Sequence, residues 1–198
     1  MPPDDSSRSS AGPIAAALSA GVLALVATMR APTPTPTIRV AIADGTDWTA
    51  WRPEHRAAIA AVLPALAATG DRWELAASAD DADVVVRPYD SGGACEHAGV
   101  YAPGSRDVRL DYACLHGLER LQYAVAHELL HWLTWRRARW VGHLCERAGD
   151  ASDCHPTVHG RGVLAPVMPW EVDGDEYAPP PRVELSPDDL RLLRAIGR

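Results

Sequence analysis

Lysine, phenylalanine and asparagine are absent from this chain. Without asparagine there is no acceptor for an N-linked glycan. Without lysine, all basic residues are arginines, and 19 of them face 26 acidic residues for a net charge of -7. No basic run gathers them, so the chain lacks the positive face that nucleic-acid phosphates demand, and no nucleic-acid partner is expected. There are four cysteines but no C-x-x-C pair, which weighs against a cysteine-rich zinc module. No internal repeat is present, which sets aside solenoid and propeller architectures.

What remains is an ordinary globular composition, 47% hydrophobic and 23% charged over 198 residues, enough for one domain with a real core. Residues 13–29 form an uncharged apolar run between Arg8 and Arg30. Its length is at the lower limit for crossing a bilayer, and its place near the start fits a secretory signal or an uncleaved signal anchor. Residues 31–37 read Ala-Pro-Thr-Pro-Thr-Pro-Thr, an extended spacer that cannot pack a core. The expected organisation is an export or anchor segment over 1–30, a stalk over 31–37 and a folded domain over 38–198. Cysteine usage agrees with a secreted or cell-surface location. Cys95 with Cys114, and Cys145 with Cys154, would each close a local loop that persists in an oxidising compartment.

Within the domain, residues 38–42 alternate as a strand does. Residues 51–68 carry Ile59, Val62, Leu63 and Leu66 at helical spacing, with Pro53 suited to the first turn, Gly70 to the stop, and Pro64 as a source of a kink. Short strands are expected over 73–77 and 82–87, the latter around Val84-Val85-Val86. Residues 99–102 and 107–110 flank Pro103-Gly104-Ser105-Arg106 as a hairpin. The strongest helix runs from Leu118 to about Arg137, with Leu118, Leu121, Val125, Leu129 and Trp132 on one face. Residues 141–181 read as loop. A last helix follows, capped by Ser186 with Pro187 in its first turn and extending through Ile196. The class is therefore α+β or mixed α/β.

His127-Glu128-Leu129-Leu130-His131 lies in the middle of the strongest helix. Residues four apart share a helix face, so His127 and His131 can aim two imidazole nitrogens at one ion about 2 Å away. Glu128, one residue on, is placed to accept a proton from a metal-activated water attacking a carbonyl. Both histidines are expected to stand off the core stripe of Val125, Leu129 and Trp132. A catalytic zinc needs a third protein ligand and one open position. His143, His155 and His159 all follow the helix; His143 comes first and is favoured, His159 and His155 are the alternatives, and Glu146 is a carboxylate outsider. Arg136, Arg137 and Arg139 read as a solvated face, and Trp132, Trp135 and Trp140 as packing residues.

With these residues in order, the sequence resembles the metzincin zinc peptidases, and the matrixin type in particular. Ala82-Asp83-Val84-Val85-Val86 resembles the central strand of that family. Gly99-Val100-Tyr101-Ala102-Pro103 with Val108-Arg109-Leu110 resembles its edge-strand hairpin. Val163-Leu164-Ala165-Pro166-Val167-Met168-Pro169 resembles its methionine-turn, and Leu185-Ser186-Pro187-Asp188-Asp189-Leu190 the start of its closing helix. The resemblance implies an α+β domain with a twisted mixed sheet, three main helices, and a single Zn2+ in a cleft after the central helix with Met168 beneath it. It also implies peptide or protein substrates laid out as an added strand. The chain departs from the family at Thr134 and Arg137, where a glycine turn and the third ligand are expected. The helix should therefore continue through Trp135-Arg136-Arg137, leaving the third ligand to come from further along. The implied activity is that of an exported, monomeric zinc endopeptidase. A non-catalytic metal-binding surface domain and a zinc amidase acting on cell-wall peptide are the alternatives.

Overall fold

A computed structural model describes residues 35–45, 49–93, 98–111, 113–115, 117–145, 154–156, 163–164 and 182–197, without the side chains of residues 145 and 154–156. The apolar run 13–29 and most of the Pro-Thr stalk lie outside these residues. Among the described residues, no helix is long and apolar enough to cross a membrane.

The folded unit spans Pro34–Arg198. Five strands, β1 (Thr37–Ile42), β2 (Arg72–Leu75), β3 (Val84–Tyr89), β4 (Gly99–Tyr101) and β5 (Asp107–Asp111), form one mixed sheet in the order β2-β1-β3-β5-β4. All neighbours run parallel except β4, which pairs antiparallel with β5 as the first arm of a hairpin and forms one edge of the sheet. Val84-Val85-Val86 is buried on both faces, as a continuous β-branched run in a central parallel strand should be. The two faces are covered differently. Ile38, Val40, Val84, Val86, Val108 and Leu110 join the main core with the helices. Ala41 and Val85 point the other way and, among the described residues, cluster with Ala82, with Ala43, Ala76 and Ala79 beside them. The helices thus gather over one face, and the class is α+β.

Helix α1 (Pro53–Ala60) begins at the proline and is followed by the short α2 (Leu63–Leu66). Pro64 does more than kink a single helix: it has no N–H to donate, so the segment restarts with Pro64 in the first turn of α2. A 3-10 turn over Ala67–Thr69 then ends at Gly70, whose φ of 88° is a left-handed stop. Helix α3 (Leu118–Ala138) lies over β4 and β5 and packs against α1 and against α4 (Pro187–Ile196). Because it is covered from several sides, residues 123–134 of α3 are buried without interruption. The expectation of a one-sided stripe with the histidines standing off it is therefore corrected: His127 and His131 are as buried as their apolar neighbours.

Two further strands appear in the stretch read as loop. β6 (His143–Cys145) and β7 (Cys154–Pro156) pair in parallel. Arg137 also departs from expectation. Its guanidinium reaches the buried carboxylate of Asp71 at 2.6 Å and the Thr69 carbonyl at 3.1 Å, tying the end of α3 to the entry of β2. Arg136 pairs with Asp83 and lies over the Trp132 ring. Arg139 is the C-cap of α3, with a φ of 56°. Trp132 packs edge-on to Trp73 within the core.

Candidate metal centre

α3 brings two turns of side chains to one point. His127 and His131 are four residues apart, and their Nε2 atoms approach to 2.9 Å. His143, delivered by β6, stacks on His127 with ring centroids 5.2 Å apart and meets His131 edge-on at 4.8 Å. One ligand atom from each of the three lies within 4.8 Å of the others, and among the described residues these histidines form the one such cluster. Nitrogens bound to one ion at about 2 Å sit roughly 3 Å apart, so the His127–His131 pair already has a chelating separation.

Protonation fits the same purpose. The Val163 carbonyl lies 2.6 Å from His127 Nδ1. A carbonyl can only accept, so Nδ1 carries the proton and Nε2 keeps its lone pair for the cluster. Burial pushes His127 down to about 4 and His131 down to about 2, the neighbouring imidazoles adding to the effect in both. Both are therefore neutral at physiological pH, the state in which imidazole binds a metal. His131 Nδ1 is buried without a hydrogen-bond partner. Two buried, neutral imidazoles with a third converging on them suit a divalent cation, and the donor set fits one.

The supporting scaffold comes from α4. Ser186 and Asp189 form a reciprocal capping box, in which the Ser186 N–H donates to Asp189 Oδ2 and the Asp189 N–H donates to Ser186 Oγ. The Asp189 carboxylate also accepts the N–H groups of Val163 at 2.9 Å and Leu164 at 3.0 Å. Val163 in turn orients His127, while the Leu164 carbonyl accepts the N–H of Leu144, next to His143. One buried carboxylate thus fixes a two-residue segment that touches both the α3 and the β6 sides of the cluster. The sequence marks Ser186-Pro187-Asp188-Asp189 as a helix start but gives no sign of this second use of Asp189.

Glu128 faces β4. It is 5% exposed, and burial pushes its carboxyl up to about 8, partly offset by the Tyr101 backbone N–H. A Cβ placed on Gly99 would stand 2.7 Å from Glu128 Cγ and 2.9 Å from its Oε1. Tyr89, at the end of β3, feels the charges of both Glu128 and the fully buried Asp111, and with its own burial these raise its phenol above the usual value.

Of the other residues singled out in the sequence, Thr134 lies inside α3 with its hydroxyl donating to the His131 carbonyl, so the helix passes straight through the position of the expected glycine turn. His155 lies on β7 in register with Leu144, its side chain outside the described residues. Glu146, His159 and Met168 also lie outside them. Cys114 is disulfide-bonded. Cys95 and the side chains of Cys145 and Cys154 are outside the described residues, so its partner among them is not described. No protein-family model matches the chain, and no curated protein matches it in sequence.

Proposed function

We propose that this chain is a zinc-dependent endopeptidase of metzincin type, secreted or held at the cell surface by its N-terminal apolar segment. The observation that carries the reading is the convergence of His127, His131 and His143 with the buried Glu128 beside His127 in the same helix. A metal-binding module needs the three imidazoles but has no use for an ionisable carboxyl buried beside them.

In this reading His127, His131 and His143 hold one zinc ion, and Glu128 is the general base. A zinc ion bound there would lower the pKa of a water molecule and polarise a substrate carbonyl. Glu128 takes the proton from the attacking water and passes it to the leaving amine, which avoids expelling an amide anion. Burial lifts its carboxyl towards neutrality, while the positive charge of a cation in the histidine cluster favours the ionised, proton-accepting form. His127 keeps its Nδ1 proton on Val163 throughout, so its ring orientation does not change during the cycle. Substrate is an extended peptide segment that adds to the open edge of β4, alongside Glu128. Met168 is assigned to the floor of the site, the cysteine pairs to 95–114 and 145–154, and the working form to a monomer.

The test is a metal analysis joined to a peptide digest. Protein purified without chelator and soaked with zinc should hold one ion per chain and cleave members of a quenched fluorogenic peptide library. One bound zinc with no cleavage of any peptide would favour the non-catalytic binding domain. Cleavage confined to cell-wall peptides would favour the amidase.

A further inference from the structure

Gly99 begins β4, yet its backbone does not lie in the left-handed region that favours glycine. What excludes a side chain there is space. An added Cβ would meet Glu128 Cγ at 2.7 Å, Glu128 Oε1 at 2.9 Å and Leu110 Cδ2 at 2.9 Å, all inside van der Waals contact. Two of the three atoms belong to Glu128.

The hydrogen-bond pattern explains why the glutamate is there. The Asp111 N–H donates to the Ala98 carbonyl, which makes 98 with 111 and 100 with 109 the bonded pairs of the β4–β5 ladder. The peptide groups of Gly99 and Tyr101 therefore point away from β5, along the open edge of the sheet. Glu128 lies at this edge with its carboxylate near the Tyr101 N–H. Its Cγ is fixed by χ1 alone, and a helix leaves only two favourable χ1 wells. A methyl group at 99 cannot nudge the carboxylate slightly. It must drive the side chain to another rotamer and so move the carboxylate as a whole.

We propose that Gly99 is a positioning residue: its missing side chain is the seat of Glu128 and holds the carboxylate against the open edge of β4. This rests on the reading of Glu128 as general base only for its catalytic consequence; the seat itself is a packing relationship that can be measured without activity.

The experiment is a double-mutant cycle on thermal unfolding of the chelator-treated protein, with Gly99→Ala, Glu128→Ala and both together. Gly99→Ala should lower the midpoint by about 5 °C, and Glu128→Ala should remove most of that penalty by vacating the space. An equal penalty with and without Glu128, or relief by Leu110→Ala in place of Glu128→Ala, would overturn the proposal. If Gly99→Ala does not fold, folding of the double variant supports the seat and failure of both refutes it. In zinc-loaded protein, Gly99→Ala should lower kcat by about 10–100-fold on a library peptide, with KM within about 3-fold and zinc content unchanged. Coupling in the cycle together with a fully active Glu128→Gln would leave the seat standing and remove the base assignment. An inactive Glu128→Gln with no coupling would do the reverse.

Discussion

His127 donates its Nδ1 proton to the Val163 carbonyl at 2.6 Å, and this one bond decides which nitrogen of the ring faces the cluster. The carbonyl is held by Asp189 through the Val163 and Leu164 N–H groups, so the orientation of the His127 ring on α3 depends on a carboxylate at the start of α4. Asp189→Asn keeps the size of the side chain but supplies one oxygen in place of two. It is expected to weaken zinc binding by about 10–100-fold, measured by competition with a chromophoric chelator, and to lower the unfolding midpoint of the metal-free protein as well. Zinc affinity equal to that of the unaltered protein would show that Val163 holds its position without Asp189.

His143 comes from β6 rather than from α3, so removing it leaves the helix untouched. His143→Ala is expected to lower zinc affinity by at least about 100-fold while the metal-free protein unfolds within a few degrees of the unaltered one. Unchanged affinity would move the third ligand elsewhere in the chain.

The metal-free protein should be most stable near pH 6.5. His127 and His131 have folded values of about 4 and about 2 against 6.5 in the unfolded chain, so below 6.5 the unfolded state binds the extra protons and stability falls with pH. Glu128 has a folded value of about 8 against 4.5, so between those limits the folded state holds the extra proton and stability falls as pH rises. From 4.5 to 6.5 the two histidines outweigh the glutamate; from 6.5 to 8 the glutamate acts alone. Thermal unfolding in chelator across pH 4 to 9 should trace this maximum, and Glu128→Gln should abolish the decline on the alkaline side. An alkaline decline that survives Glu128→Gln would assign it to another group.

Arg137 occupies the position where the family resemblance expects a ligand, and here it serves stability. Its partner Asp71 is 7% exposed, so Asp71→Ala leaves a half-buried guanidinium without its carboxylate. The expected cost is about 1–3 kcal/mol in denaturant unfolding, with zinc stoichiometry unchanged.

What could be read in the sequence was local. The four-residue spacing of His127 and His131 converts directly into geometry once the helix is recognised. Pro53, Gly70 and Ser186 mark element ends through backbone chemistry that acts within a few residues. What escaped was set by distant partners. Arg137 reads as solvated because nothing near it announces Asp71, 66 residues away. Asp189 reads only as an acidic residue in the first turn of the last helix because its other partners, Val163 and Leu164, lie 26 and 25 residues away. The β6–β7 pair consists of three-residue strands with no periodicity to detect, stabilised by pairing with each other. Gly99 reads as the first residue of a hairpin strand, as it is, but the reason for a glycine there lies on α3 and leaves no mark in the sequence.

The central claim is that Glu128 moves the proton while the three histidines hold the ion. Zinc-loaded Glu128→Gln keeps nearly the same shape and removes only the capacity to accept a proton. It should bind one zinc per chain with affinity close to that of the unaltered protein and lose at least about 100-fold in kcat on a cleaved library peptide. Hydrolysis at an unchanged rate with one zinc bound would contradict the account.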